Sequence, residues 1–201
     1  MARTDARGGP RTRARIAETA SGLFAEHGFD GVTVADVARA AGVSSVTVFN
    51  HFPRKEDLFF DRTDEAVDLL RAAVRDRPAG LDVVDGLRAA VLRMLDERHP
   101  LTGADPRAAD FFATVAASPA LLGRARGIGA ELQQVLAAEL VADPAPTEDP
   151  ALVAALFVAG HGTVLTEVGK ALASGEEPDA QLDGIRERFE RLFAALRAAA
   201  G

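Results

Sequence analysis

The 201-residue sequence contains no cysteine, tryptophan or tyrosine, and its only four histidines lie far apart along the chain. Without cysteine there is no disulfide framework, no thiolate metal site and no thiol nucleophile. No cluster of histidine and acidic residues has metal-ligand spacing, so neither a metal nor another cofactor is expected. The sequence also lacks a glycine-rich phosphate loop and a nucleophile elbow, which leaves a small helical enzyme only as an alternative hypothesis.

Long apolar runs are also scarce. The longest uncharged stretch, ALVAALFVAGHGTVLT at 151–166, is shorter than a membrane span and contains His161. We expect it to form a buried helix in a protein that does not cross a membrane. The basic N-terminus is not followed by an apolar run of signal-peptide length, so no secretory signal is predicted and a cytoplasmic location is expected.

Charge is unevenly distributed along the chain. The whole sequence carries −7, whereas residues 1–55 hold eight lysines and arginines against five acidic residues, a net charge of +3. The remaining residues therefore carry −10. A basic N-terminal part in an otherwise acidic chain indicates that residues 1–55 bind a polyanion. A solvated basic tail would give the same pattern.

Apolar residues recur with helical periodicity almost throughout, which predicts an all-α protein of about nine helices. A flexible basic arm at 1–10 and a three-helix unit at 11–53 are followed by a connecting helix at 54–77 and a larger helical bundle at 78–201. Capping residues and proline- or glycine-rich breaks predict the individual helices, at 11–27, 34–40, 45–51, 54–77, 81–98, 105–118, 120–142, 150–173 and 180–199.

Two short helices on either side of Gly42 form the most informative segment. Thr33 and Asp36 have the spacing of a capping box before the first of them, and Ser44 is a cap candidate for the second. Gly42 permits the positive φ that a sharp turn requires. Two capped helices joined by so short a turn must cross steeply, which predicts a helix-turn-helix.

A helical wheel for 44–52 separates a packing side from an outer side. The packing side groups Ser44, Val48, His51 and Phe52, and the outer side consists of Ser45, Val46, Thr47, Phe49 and Asn50. A merely solvated helix would present Glu, Lys and Arg on its outer side. Short polar and methyl groups instead suit base edges in a DNA major groove, where asparagine pairs with adenine and valine contacts a thymine methyl group. Such a face could also dock a protein, so a helical protein-interaction module is a second alternative.

Residues 15–59 resemble the DNA-binding part of the tetracycline-repressor (TetR) family of bacterial transcription regulators. The resemblance is carried by the motifs LF…HGFDGVTV, VARAAGVS and VFNHFPRKEDL. It implies a homodimeric regulator, most commonly a repressor, that binds a palindromic double-stranded DNA operator and responds to a small-molecule effector. The sequence identifies neither the operator nor the effector.

The helix face and the resemblance together predict a set of DNA-contacting residues: Thr33, Ser44, Ser45, Val46, Thr47, Phe49, Asn50, His51, Arg54 and Lys55. Two positions depart from the family pattern. Phe49 stands where tyrosine is usual and lacks the hydroxyl group, and Arg54 stands where a serine often caps the next helix. His51 has a structural alternative between the first and fourth helices.

The last two predicted helices have the features of a dimer interface. The helix at 180–199 carries an apolar stripe, and the helix at 150–173 is apolar nearly all round with small residues that permit close approach. We expect them to form a four-helix contact with a second copy of the chain, the alternative being the core of a monomer.

A small-molecule pocket is expected among the helices at 81–142 and the first half of 150–173. Helical spacing alone selects its candidate lining residues, each of which could also be an ordinary core residue: Phe111, Phe112, Thr114, Val115, Leu132, Leu136, Phe157 and His161.

Overall fold

The computed structural model describes residues 9–105, 107–145, 147–176 and 178–200, so residues 1–8 of the predicted arm lie outside the described part. The described residues form ten α-helices and two short 3-10 turns and contain no β-strand, which confirms the all-α prediction. The helices are α1 (Pro10–His27), α2 (Val34–Ala40), α3 (Ser45–His51), α4 (Lys55–Phe59), α5 (Thr63–Arg75), α6 (Val83–Asp96), α7 (Ala108–Ala117), α8 (Pro119–Ala142), α9 (Pro150–Ala173) and α10 (Leu182–Ala200).

The single helix predicted at 54–77 is corrected to two, α4 and α5. Phe60 leaves the helical conformation, with φ −94° and ψ 48°, and its carbonyl accepts a hydrogen bond from the Thr63 hydroxyl at 2.8 Å. Phe59 lies edge-on to Phe60 with 5.4 Å between ring centroids, and it also contacts Phe24 and Phe29. Aromatic packing therefore accompanies the break, where the sequence has neither proline nor glycine.

The chain divides into two compact units, each with its own apolar core. The first unit contains residues up to Thr63 together with 114–125, and the second contains the rest. The segment 114–125 comes from the end of α7 and the beginning of α8, a stretch that the sequence pattern assigned to the larger bundle. Leu121 in this segment is fully buried and belongs to the core of the first unit.

In the second unit, α9 and α10 pack closely against each other. Gly160 permits this approach, because a Cβ atom at that position would overlap the Leu192 side chain. The apolar stripe of α10 is buried within its own unit through Ile185, Phe189, Phe193 and Leu196. The stripe therefore belongs to the core of the second unit.

Within its own unit, α9 is buried on one side only. One side is buried in the second core through residues such as Val153 and Phe157, while Leu152 and Leu156 on the other side are 46% and 38% exposed. By length and composition alone this helix could cross a membrane. In the structure, 28% of its most apolar 18-residue stretch is buried. A core helix of a soluble protein can have the same length and composition.

Candidate nucleic-acid interface

Side-chain caps fix the beginnings of α2 and α3. Thr33 Oγ1 accepts a hydrogen bond from the Asp36 amide at 3.2 Å, and the Thr33 hydroxyl and amide donate to Asp36 Oδ2 at 2.5 and 3.0 Å. These bonds from Thr33 hold the pKa of the Asp36 carboxyl below its usual value. Ser44 Oγ accepts from the Thr47 amide at 3.1 Å, and Gly42 has φ 66° in the intervening turn. The predicted helix-turn-helix is therefore present.

The two sides of α3 differ in burial as the helical wheel predicts. Val48 and Phe52 are 0% and 1% exposed in the core of the first unit. On the outer side Val46 is 68% exposed, Phe49 is 49% exposed and Asn50 is also exposed. The outer face of α3, as the term is used below, consists of Val46, Thr47, Phe49 and Asn50.

The helical wheel predicted the wrong exposure for two serines, Ser44 and Ser45. Ser44 was placed on the packing side but is exposed, because its side chain caps α3 from outside the helix. Ser45 was placed at the exposed end but is half-buried. The Ser44 and Thr47 hydroxyl oxygens lie 2.8 Å apart, so these two groups are hydrogen-bonded to each other. No described residue hydrogen-bonds the Asn50 side chain, which leaves its carboxamide available to a ligand.

Basic residues beside α3 are partly engaged within the first unit. The Lys55 ammonium lies 4.1 Å from the centroid of the Phe29 ring, a cation–π contact. Arg54 is exposed, and its amide donates to Asp57 Oδ2 at 3.1 Å. Asp57 thus provides one half of a capping box by accepting from the Arg54 amide, whereas an arginine side chain cannot accept the Asp57 amide in return. The single bond still gives α4 a defined beginning.

His51 is half-buried, and its Nε2 is buried without a hydrogen-bond partner in the described part of the chain. This environment favours the structural alternative for His51. The structure brings the predicted DNA-contacting residues together in the first unit, but their contact with DNA stays a prediction.

Sequence patterns did not single out Arg13, whose side chain packs on the residue that follows α3. Its guanidinium carbon lies 4.4 Å from the centroid of the Phe52 ring, directly after α3, and its Nη1 and Nη2 each lie 3.3 Å from the Asp61 carbonyl oxygen. The spacing from Arg13 to the buried Ile16 and Ala20 was the available signal, since residues three and seven positions apart share a helix face.

The eight candidate ligand-lining residues divide between the two units. Thr114 and Val115 lie in the first unit, and Val115 packs against its core. The other six lie in the second, where Leu136 and Phe157 are core residues that are 0% and 4% exposed. Leu132 is half-buried.

Phe111 and Phe112 differ in their surroundings although their rings lie 5.5 Å apart. Phe111 is 38% exposed. Phe112 packs against Gly169, where an added Cβ would lie 2.9 Å from Phe112 Cγ. Phe112 therefore fills the space that this glycine leaves, and a ligand role for any of the eight residues stays a prediction.

His161 is a half-buried residue of the second unit. Its Nε2 lies 2.9 Å from the Leu101 carbonyl oxygen, and its Nδ1 is buried without a hydrogen-bond partner among the described residues. The Phe157 and Phe189 rings lie 5.9 and 5.1 Å from the imidazole, centroid to centroid. Burial lowers the pKa of His161 below its usual 6.5, so the neutral ring with a proton on Nε2 suits this site.

We expect the substitution His161→Leu to make stability less sensitive to mild acid. Because the folded-state pKa of His161 is lowered, the unfolded chain takes up the proton first as the pH falls below about 6.5. The wild-type protein then loses free energy of unfolding until the lower folded pKa is passed, and the variant lacks this contribution. Urea denaturation at about pH 7.5, 6.5 and 5.5 measures the difference. Parallel pH dependences for the two proteins would contradict it.

Residues 16–61 match the sequence model of the family described as bacterial regulatory proteins, tetR family. The HTH-type transcriptional repressor KstR2 of Mycobacterium tuberculosis is 31% identical over 91 residues, which cover 43% of this chain and 46% of the relative. The chain thus spans less than half the length of the mycobacterial relatives it matches. The HTH-type transcriptional regulator TcmR of Streptomyces glaucescens is 29% identical over 196 residues, which cover 93% of this chain and 83% of the relative.

A solved structure of Thermus thermophilus FadR, described as a TetR family transcriptional repressor in complex with lauroyl-CoA, has the same fold. Its TM-score is 0.52 at 22% identity, and the match covers 92% of each chain. The segment matched by the family model contains α2, the turn at Gly42 and α3 with its outer face. Residues 16–61 therefore match the tetR family of bacterial regulatory proteins in sequence and contain a helix-turn-helix in the structure.

Proposed function

We propose that the chain is a DNA-binding transcription regulator, in the simplest case a repressor that a small molecule releases from a palindromic operator. The observation that carries the proposal is the outer face of α3. Val46 and Phe49 expose apolar surface beside the exposed carboxamide of Asn50, on a helix held by the Ser44 cap and the buried Val48. Exposed methyl and amide groups on one face of a helix suit base edges in the major groove.

The charge distribution supports the same partner. Residues 1–55 carry a net +3 on a chain whose total charge is −7. Positive charge around the reading helix would contact phosphates and make affinity fall steeply with salt concentration. A purified full-length chain should therefore select a duplex from a random pool, and the measured dissociation constant should rise as salt is added.

We expect Asn50→Ala to weaken binding to the selected duplex by about 5- to 150-fold, the equivalent of about 1–3 kcal/mol. The carboxamide is the only part removed, so binding to an unrelated duplex through phosphates should stay unchanged. Fluorescence anisotropy with both duplexes at matched salt concentration measures the two affinities.

Gln134→Ala serves as the matched control, because it removes an exposed carboxamide from α8. It should leave both affinities unchanged. An Asn50→Ala protein that keeps full affinity for the selected duplex, or that loses affinity for both duplexes equally, would contradict base reading by Asn50. If the chain selects no duplex but binds another protein, the alternative hypothesis of a helical protein-interaction module is favoured.

We also propose that two copies associate through α9 and the neighbouring α10. One exposed side of α9 is an uncharged stripe about 20 Å long, formed by Leu152, Leu156, Ala159, Thr163 and Thr166. The Thr163 and Thr166 hydroxyls donate to carbonyls of their own helix at 2.9 and 2.8 Å. Neither hydroxyl therefore needs an acceptor on a second copy of the chain. Such a surface suits a close helix contact across a two-fold axis.

Leu156→Arg is expected to convert this dimer to monomer at micromolar concentration, because it would bury a charge in an apolar contact. Sedimentation velocity measures the change, and affinity for a palindromic duplex should fall with it. Leu122→Arg is the matched control, because Leu122 on α8 is 36% exposed and Leu156 is 38% exposed. A Leu156→Arg protein that stays dimeric would place the interface elsewhere.

The effector would bind in the second unit. The Thermus thermophilus relative is described in complex with lauroyl-CoA, which supports a small-molecule ligand in general and not that compound for this chain. Ligand binding would stabilise an arrangement in which the two copies of α3 no longer match half-sites about 34–36 Å apart. An operator-bound protein should then release DNA when the ligand is added.

A further inference from the structure

We infer that the base pairs facing α3 in each operator half-site are A·T pairs, read as a thymine methyl group by Val46 and as adenine by Asn50. The inference rests on the proposed function and specifies the ligand of the same surface. It follows from the hydrogen-bonding groups that α3 leaves free, the apolar groups that it exposes and the distance between them.

On the outer face of α3, Asn50 is the one polar side chain that no described residue hydrogen-bonds. No Lys, Arg, Asp or Glu occurs among Ser45–His51, so α3 has no charged donor for guanine and no carboxylate for cytosine. The Thr47 hydroxyl is bonded to Ser44, and His51 is half-buried with a buried Nε2. The exposed carboxamide of Asn50 remains, and its donor and acceptor pair match N7 and the N6 amino group of adenine.

The apolar part of the same face requires an apolar partner. Val46 is 68% exposed and Phe49 is 49% exposed, although Val48 between them is completely buried. In the major groove only thymine presents a methyl group, whereas guanine and cytosine present polar atoms that a valine would desolvate without bonding. A thymine methyl group is therefore the base feature that fits Val46.

The separation of the two residues fixes the separation of the two base pairs. Val46 and Asn50 are four positions apart on α3, which places them about 6 Å apart along the helix axis and on one face. Successive base pairs lie about 3.4 Å apart along the duplex. The thymine and the adenine should therefore lie within about two base steps in one half-site.

The basic residues near α3 are not placed to contact bases at its outer face. The Lys55 ammonium is seated on the Phe29 ring at 4.1 Å, and Arg39 pairs with Asp36. Arg54 is exposed but belongs to the beginning of α4, where a phosphate contact suits it. Sequence reading by α3 is thus assigned to its methyl and amide groups.

The experiment removes single chemical groups from the bases of the DNA. The full-length chain selects its duplex, and each thymine of a half-site is then replaced in turn by deoxyuridine, which lacks only the 5-methyl group. At one position the wild-type protein should lose about fourfold in affinity, the value of one buried methyl group. Val46→Ala should bind both duplexes equally at that position. Val141→Ala, which truncates a 74% exposed valine on α8, should keep the wild-type discrimination.

A second substitution tests the adenine. Replacing one adenine near that thymine by 7-deazaadenine removes the N7 acceptor, and it should lower wild-type affinity by about fivefold or more. Asn50→Ala should be insensitive to this replacement. Each protein is measured against its own unmodified duplex, so a general loss of affinity does not mimic the effect.

The outcomes separate this inference from the proposed function. If no duplex is selected, the proposed function fails. If a duplex is selected but uracil is neutral at every position, or G·C pairs occupy the positions that α3 protects, the inference is overturned while the proposed function stands. If uracil weakens the wild-type protein and Val46→Ala equally, another residue reads the methyl group and the assignment to Val46 is overturned.

Discussion

Arg124→Ala is expected to lower the free energy of unfolding of the first unit by about 3–5 kcal/mol. Arg124 Nε donates to Asp57 Oδ1 at 2.6 Å, and the two side chains are 11% and 16% exposed. Removing the guanidinium leaves a carboxylate with little access to water. The same carboxylate accepts from the Arg54 amide, so the beginning of α4 would lose its support as well. Urea denaturation followed by circular dichroism measures the loss.

Arg126→Ala is the control for this substitution, because it removes an exposed arginine from the same helix. It should change the free energy of unfolding by less than about 0.5 kcal/mol. A double-mutant cycle with Asp57→Ala should show strong non-additivity, since the second substitution removes the charge that the first leaves unpaired. Additive losses, or an Arg124→Ala protein as stable as wild type, would contradict a buried ion pair.

Phe52→Ala should destabilise the first unit by about 3–5 kcal/mol and abolish specific DNA binding. The ring directly follows α3, is 1% exposed and lies beneath the Arg13 guanidinium. Truncation would open a cavity next to α3 and remove the ring on which the Arg13 guanidinium rests. Urea denaturation gives the stability change, and anisotropy with the selected duplex gives the loss of binding.

The neighbouring Phe49, on the outer face of α3, provides a control of the same residue type. Because it is 49% exposed, Phe49→Ala should change stability by less than about 0.5 kcal/mol. Its effect should instead be a lower affinity for the selected duplex. Equal destabilisation by the two substitutions would contradict the assignment of one ring to the core and the other to the outer face.

Local chemistry predicted the helix-turn-helix well. Thr33 and Ser44 cap the beginnings of α2 and α3 through hydrogen bonds to residues three positions away, and Gly42 permits the turn between them. Both helices have the predicted bounds. The burial of Val48 and Phe52 followed from helical periodicity, because one side of so short a helix must pack to be stable.

The features that the sequence did not reveal depend on tertiary contacts. The break after Phe59 involves aromatic rings from α1 and the following loop, with no glycine or proline to mark it. The pair between Asp57 and Arg124 joins residues 67 positions apart, so no local pattern indicates it. Among the ligand candidates, periodicity could not show that Phe112 packs on Gly169, because inward-facing core and cavity-lining residues recur with the same spacing.

The inclusion of residues 114–125 in the first unit affects how chimeric regulators should be assembled. A hybrid that joins residues up to Thr63 to the remainder of another family member would replace Leu121 and Arg124 with unmatched side chains. Its first unit would then contain a packing defect and an orphaned carboxylate at Asp57. A transplantable module must therefore carry both chain segments, and loss of operator recognition in a single-crossover hybrid would reflect a damaged scaffold and not an incompatible effector domain.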